Sequence, residues 1–202
     1  MILQPSSGNV GIGTTAPAYK LDVSGTINST NISRIIASGS GTSARNFEIT
    51  GLDLTNYIFN EIIVVWTLNT EGTDILMYAS YDGTTFASAN YEVTSYYSSP
   101  AIGITTHDSG VGKSWINVVR YSAGNTVSNS ACTGILKINW TTNLGQRSPC
   151  FWTSSYTIAG QGCAHTTGTA QNTSSTGNPV KLHLSPVTGN FQAFKWRVIG
   201  HL

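Results

Sequence analysis

Charge is what this chain has least of. Asp, Glu, Lys and Arg make up 9% of its 202 residues, against roughly 25% in an ordinary soluble domain. The net charge is +1 and the sequence contains no basic run, so no electrostatic footprint exists for holding a phosphate backbone and nucleic acid is excluded as a partner class. Long hydrophobic runs are missing too. The longest, Glu61 to Trp66 and Asp74 to Tyr78, are too short to cross a bilayer, and the opening MILQPSSG has no charged segment followed by an apolar one. The expectation is therefore a chain with no signal peptide, membrane anchor or membrane insertion. Cysteine is scarce: Cys132, Cys150 and Cys163 are odd in number and lack metal-type spacing, which suits buried thiols better than a Cys150–Cys163 bridge. Helix formers are few, with 4 Glu, 5 Lys and 2 Met.

In their place stand 27 Thr, 24 Ser, 16 Asn and 21 Gly, uncharged polar groups and turn formers that can cover a surface without charge. β-Branched and aromatic residues fill the apolar positions, and the hydrophobic content of 40% is enough for a core. The fold class expected is all-β. From Arg34 onward, strand-length segments are separated by turn clusters at intervals of roughly 8–12 residues, the spacing of a sandwich or barrel. Strands are expected at 34–38, 46–50, 61–68, 74–81, 89–97, 114–122, 134–142, 150–158, 180–186 and 191–202. In Gly134 to Thr142, Ile135, Lys137 and Asn139 alternate with Leu136, Ile138 and Trp140, as a half-buried strand requires. Tyr81-Asp82-Gly83-Thr84 carries the Asp-Gly pair favoured in tight hairpins, and Val187-Thr188-Gly189-Asn190 joins the last two strands. The arrangement expected over 34–202 is an antiparallel, jelly-roll-like β-sandwich.

Residues 1–33 read differently. Short apolar pairs alternate with Gly and Thr, and no segment is long enough to bury itself. Gly11-Ile12-Gly13-Thr14-Thr15-Ala16 matches the dinucleotide fingerprint formally. That site needs a buried strand before it and a helix after it; Pro17 follows instead, with no helical periodicity. The segment Gly8-Asn9-Val10-Gly11-Ile12-Gly13-Thr14-Thr15-x-Pro17-x-x-Lys20-Leu21-Asp22-Val23-x-Gly25 resembles one that recurs in phage tail-fibre and tail-spike proteins. The resemblance covers about 25 residues. It implies a short extended stem in a homotrimeric shaft, placed before a carboxy-terminal head and joined to upstream fibre or virion proteins. Physical chemistry agrees, because Val10, Ile12, Leu21 and Val23 need neighbouring chains to bury them while the glycines allow close backbone approach.

Catalytic constellations are absent from the sequence. His107, His165, His183 and His201 are scattered without metal-ligand spacing. His107-Asp108 reads as part of a Gly/Ser loop with a turn-capping Asp, no nucleophile elbow occurs, and the nine carboxylates form no recognisable acid/base pair. The expectation is a protein that is not an enzyme and uses no cofactor or metal. Aromatic residues are more informative. Exposed rings stack on sugar faces while Asn, Thr and Ser bond to hydroxyls, so Tyr96, Tyr97, Trp152 and Tyr156 are the candidates for a receptor site, with core packing as the alternative for each. The functional expectation is a virion protein, the end of a tail fibre, that binds a host-surface glycan. A purely structural fibre or capsid decoration is the second reading, and a polysaccharide depolymerase the third.

Overall fold

The structure, a computed structural model, describes residues 9–24, 33–69, 73–99, 103–120, 132–141, 148–158, 162–175 and 177–202. The chain divides into two compact units, Met1–Ile32 and Ser33–Leu202.

In the first unit, β1 (Val10–Ile12) and β2 (Leu21–Val23) pair in parallel, Val10 opposite Leu21 and Ile12 opposite Val23. Parallel strands are usually joined by a crossover of a dozen or more residues. Here eight residues of bends suffice. The amides of Val10 and Ser24 donate to the carbonyls of Lys20 and Ile12, both at 2.8 Å, and the Asp22 carboxylate takes the Ala18 amide at 2.9 Å. Gly13 has φ 75°, and a Cβ there would strike the Ser24 carbonyl, so only glycine fits this turn. Where a dinucleotide site needs a helix, the chain bends directly into β2. Val10 and Val23 are half-buried within this unit, whereas Ile12 and Leu21 remain 42% and 59% exposed.

The second unit is all-β and antiparallel, with two sheets around one shared core. Its strands are β3 (Arg34–Ala44), β4 (Phe47–Thr50), β5 (Phe59–Leu68), β6 (Ile75–Ser80), β7 (Tyr91–Ser99), β8 (Gly103–Lys113), β9 (Ile116–Val119), β10 (Cys132–Thr141), β11 (Cys150–Ile158), β12 (Gly162–Asn172), β13 (Lys181–Pro186) and β14 (Phe191–His201). One sheet has eight strands in the order β3-β14-β5-β10-β11-β12-β7-β8, and the other four in the order β4-β13-β6-β9. A nested pattern runs through both. β3 pairs with β14, β4 with β13, β5 with β10 and β6 with β9, successive pairs lying in alternate sheets. The other four strands form two hairpins, β7-β8 and β11-β12, which lie side by side through a β12-β7 ladder and extend the large sheet beyond β10.

Alternation decides what is buried, broken in β14 by the irregularity after Phe191 that lets Phe191 and Phe194 both face inward. In β5, Ile62, Val64, Trp66 and Leu68 point inward; in β10, Leu136, Ile138 and Trp140; in β14, Phe191, Phe194, Trp196 and Val198. Glycines on the inward faces make room for the largest rings. A Cβ at Gly168 would lie 2.5 Å from the Trp152 indole, and one at Gly39 would lie 2.6 Å from Trp196.

Most expected strands lie where the alternation placed them, but β8 and β12 replace what read as loops. His107 and Asp108 therefore belong to a strand. Residues 187–190 join β13 to β14 as expected, although the two strands lie in different sheets. Residues 81–84 turn the chain back so that Phe86 bridges Ser80 in antiparallel fashion and the Ala87 amide donates to the Ala79 carbonyl at 2.9 Å, before β7 enters the other sheet. The Asp82 carboxylate folds this turn by accepting the amides of Thr84 at 2.8 Å and Thr85 at 2.7 Å, which hold its carboxyl well below the usual range. The cysteines are thiols. Cys150 stands opposite Ala170 and Cys163 opposite Thr157 on the β11-β12 ladder, seven residues out of register and roughly 23 Å apart at strand rise, far beyond disulfide reach. Cys163 is exposed rather than buried.

Candidate functional site

Strand parity separates the four aromatic candidates. Tyr96 on β7 is 47% exposed, whereas Tyr97, Trp152 and Tyr156 retain 2%, 1% and 2% of their surface. The last three point into the core and cannot stack on a sugar from there. Tyr156 donates its phenol proton to the Arg120 carbonyl, and burial pushes its ionisation well above the ordinary tyrosine range. Trp152 fills the space left by Gly168. These three are corrected from receptor candidates to core residues, and the physical reason is the period of two: a residue on either side of an exposed one faces the other way.

The same rule exposes a residue the sequence reading passed over. Phe151 is Trp152's neighbour in the chain, lies on the opposite face and is 51% exposed. Register places it beside Asn139 on β10 and Thr169 on β12, and Thr169 stands opposite Thr94 on β7. One pleat along, Lys137, Thr153, Thr167 and Tyr96 form the next row. Phe151 and Tyr96 are thus two strands and two residues apart, about 12 Å between Cα atoms at ideal sheet spacing. Between them lies a groove of about 400 Å³, lined by Thr94, Tyr96, Asn139, Phe151, Thr153, Thr167 and Thr169, with Trp152 and Gly168 beneath. A second recess of about 330 Å³ flanks Phe151 on its other side, edged by Thr94, Thr169, Gln171 and Glu92. Gln171 Nε2 donates to the Glu92 carboxylate at 2.7 Å, which occupies the charge at this margin. Threonine hydroxyls between two aromatic rings can stack on and bond to a neutral, hydroxyl-rich ligand. Alternation ties Phe151 to Trp152, so one of the two must face out, and the inward placement of Trp152 makes Phe151 the exposed one.

Among the described residues, serine and histidine meet twice. Ser155 Oγ is 2.9 Å from His165 Nδ1 on the outer sheet face. Ser33 Oγ is 2.8 Å from His201 Nδ1, His201 Nε2 stands 3.5 Å from the Glu61 carboxylate, and the Phe59 ring stacks on the imidazole at 4.2 Å. This second row fastens the first residue of the unit to the end of its last strand. Among the described residues, no group of three His, Cys, Asp or Glu side chains is placed to hold a metal ion. On β13, the His183 imidazole is held below its ordinary value by burial against Tyr78 and Phe86, partly offset by Glu48.

No protein-family model matches the chain, and no curated protein matches it. Among solved structures, the CspB protease of Clostridium perfringens is similar at 11% identity with a TM-score of 0.17, over 79% of this chain. The chain spans 26% of that protein's length. A likeness of this degree carries no argument about fold or activity.

Proposed function

We propose that this chain is the end of a phage tail fibre, or a comparable virion appendage, whose head binds a neutral host-surface glycan without catalysis. The observation that carries the reading is the pair of exposed rings, Tyr96 and Phe151, across a threonine-floored groove of about 400 Å³. Its position supports the same reading. The nested pairing of β3 to β6 with β9, β10, β13 and β14 supports a jelly-roll reading of the head, an architecture of viral capsid and lectin domains. The hairpins β7-β8 and β11-β12 are insertions into that plan. Tyr96, Phe151, Thr167 and Thr169 all lie on them, so the added strands are the ones that carry the groove.

The amino-terminal unit is the stem of a homotrimer in this proposal. Ile12 and Leu21, exposed in the single chain, would be covered by the same segment of two other copies and connect the head to upstream virion proteins. Glycan-array binding by the full-length protein tests the function. Neutral oligosaccharides should be retained when salt rises from about 0.05 to 0.5 M, because stacking and neutral hydrogen bonds are not screened. A Tyr96→Ala/Phe151→Ala double variant should lose them. An array with no retained glycan would leave the chain a purely structural fibre, and release of reducing sugars from a retained polysaccharide would make it a depolymerase.

A further inference from the structure

The outer face of the large sheet has a second half with different chemistry. At the β3-β14-β5 end, register sets Ser38, Arg197 and Ile63 in one row, Ser40, Lys195 and Val65 in the next, and Thr42, Ala193 and Thr67 in a third. Lys137 on β10 continues the first row beyond Ile63, and Ile135 continues the second beyond Val65. Two open grooves follow these rows. One of about 540 Å³ is lined by Ser38, Ser40, Ile63, Val65, Lys195 and Arg197. The other, about 410 Å³, shares Ser40, Val65 and Lys195 and reaches Thr42 and Thr67. Inward, Gly39 and Gly41 lie against the Trp196 and Phe194 rings, and between Ser38 and Thr42 the outward residues of β3 are all hydroxyl-bearing.

The cations are the unusual part. The chain has ten Lys and Arg in all, and three of them share this patch. Among the described residues, ion pairs join Arg120 to Asp74 and Lys181 to Glu48, His201 Nε2 stands 3.5 Å from the Glu61 carboxylate, and none of these contacts involves Lys137, Lys195 or Arg197. Glu61, one pleat along β5 from Ile63, is the partner of His201. Three exposed cations without carboxylate partners, beside an apolar strip and a hydroxyl ladder, are complementary to a ligand with an anionic group, an apolar C–H face and several hydroxyls.

We infer that this end of the sheet is a second binding subsite, for a carboxylate-bearing sugar such as a uronic acid residue of an acidic polysaccharide. Arg197 takes the carboxylate, in the bidentate manner that a guanidinium favours, with Lys195 one pleat along β14 and Lys137 two strands across adding to the field. Ile63 and Val65 receive the C–H face, and Ser38, Ser40 and Thr42 meet the hydroxyls. The inference extends the glycan-binding proposal to a different ligand charge and different residues, so either can fail without the other.

The experiment uses the full-length chain, with tetragalacturonate and tetramannuronate as probes and the carboxyl-reduced form of each as control, in titration calorimetry. At least one uronate should bind, weaken tenfold or more between about 0.05 and 0.5 M salt as screening sets in, and bind tenfold or more weaker to Lys195→Gln/Arg197→Gln. These side chains are exposed, so the melting temperature should not move. The reduced probes should bind much more weakly, and the Tyr96→Ala/Phe151→Ala variant should bind the uronate as the unaltered chain does. Uronate binding that survives Lys195→Gln/Arg197→Gln, reduced probes that bind equally well, inorganic phosphate that competes at the same concentration as the uronate, or no uronate binding up to about 5 mM would each overturn the subsite. Loss of uronate binding in the Tyr96→Ala/Phe151→Ala variant would overturn its separateness.

Discussion

Cys150 and Cys163 show how differently two cysteines on adjacent strands can be placed in this molecule. Cys150 sits wholly inside the core, where the lack of water opposes the thiolate and pushes its pKa up to about 12. Cys132 is equally buried and donates its thiol proton to the Thr157 carbonyl at 2.9 Å. Cys163, on β12, is exposed. A thiol reagent at pH 8 should therefore titrate one group rapidly in the native protein and three after denaturation. Two fast groups, or none, would contradict the placement of β11 against β12. The sequence could not make this distinction, because three isolated cysteines carry no periodic signal of their own and only the ladder register says which way each one points.

At the scale of the element, legibility followed apolar alternation. β5, β10 and β14 could be read because large apolar residues at every second position have only one way to be buried together. β8 and β12 could not, since stretches such as Gly162 to Asn172 offer Gly, Ala, Thr and His where a strand usually carries branched or aromatic residues. β12 is a strand through its neighbours, paired along its length with β11 and β7, and its small inward residues are what the large rings of β11 require. Parity was the other limit. Tyr96 and Tyr97, or Phe151 and Trp152, are adjacent and chemically alike, so the sequence located the aromatic cluster without saying which member faces solvent. Gly168 tests the packing half of this account. Its added Cβ would stand 2.5 Å from the Trp152 indole and 2.6 Å from the Thr94 carbonyl, and the backbone atom cannot step aside. Gly168→Ala should destabilise the head by about 1–3 kcal/mol, read from chemical denaturation with an unchanged slope; an unchanged midpoint would mean that the indole does not fill this space.

Across the whole molecule, the proposed function makes contacts of two surfaces. The first unit leaves Tyr19 and Leu21 73% and 59% exposed, and as the proposed stem of a trimer it would cover them with the same segment of two other copies. Light scattering on the full-length protein at micromolar concentration should give about three times the chain mass of 21.5 kDa, and removal of residues 1–32 should weaken that assembly or lower its melting temperature. A monomeric full-length chain would refute the stem. The head's outer face is the second surface, and the account as a whole depends on it. Phe151→Ala and Trp152→Ala, made in parallel and measured for both melting and glycan binding, test it most directly. Phe151→Ala should melt like the parent and lose about 1–2 kcal/mol of binding, roughly five- to thirtyfold, while Trp152→Ala should lose about 3–5 kcal/mol of stability. A Phe151→Ala protein that binds its glycan at full strength, or a Trp152→Ala protein that melts normally and alone fails to bind, would contradict the assignment of this face.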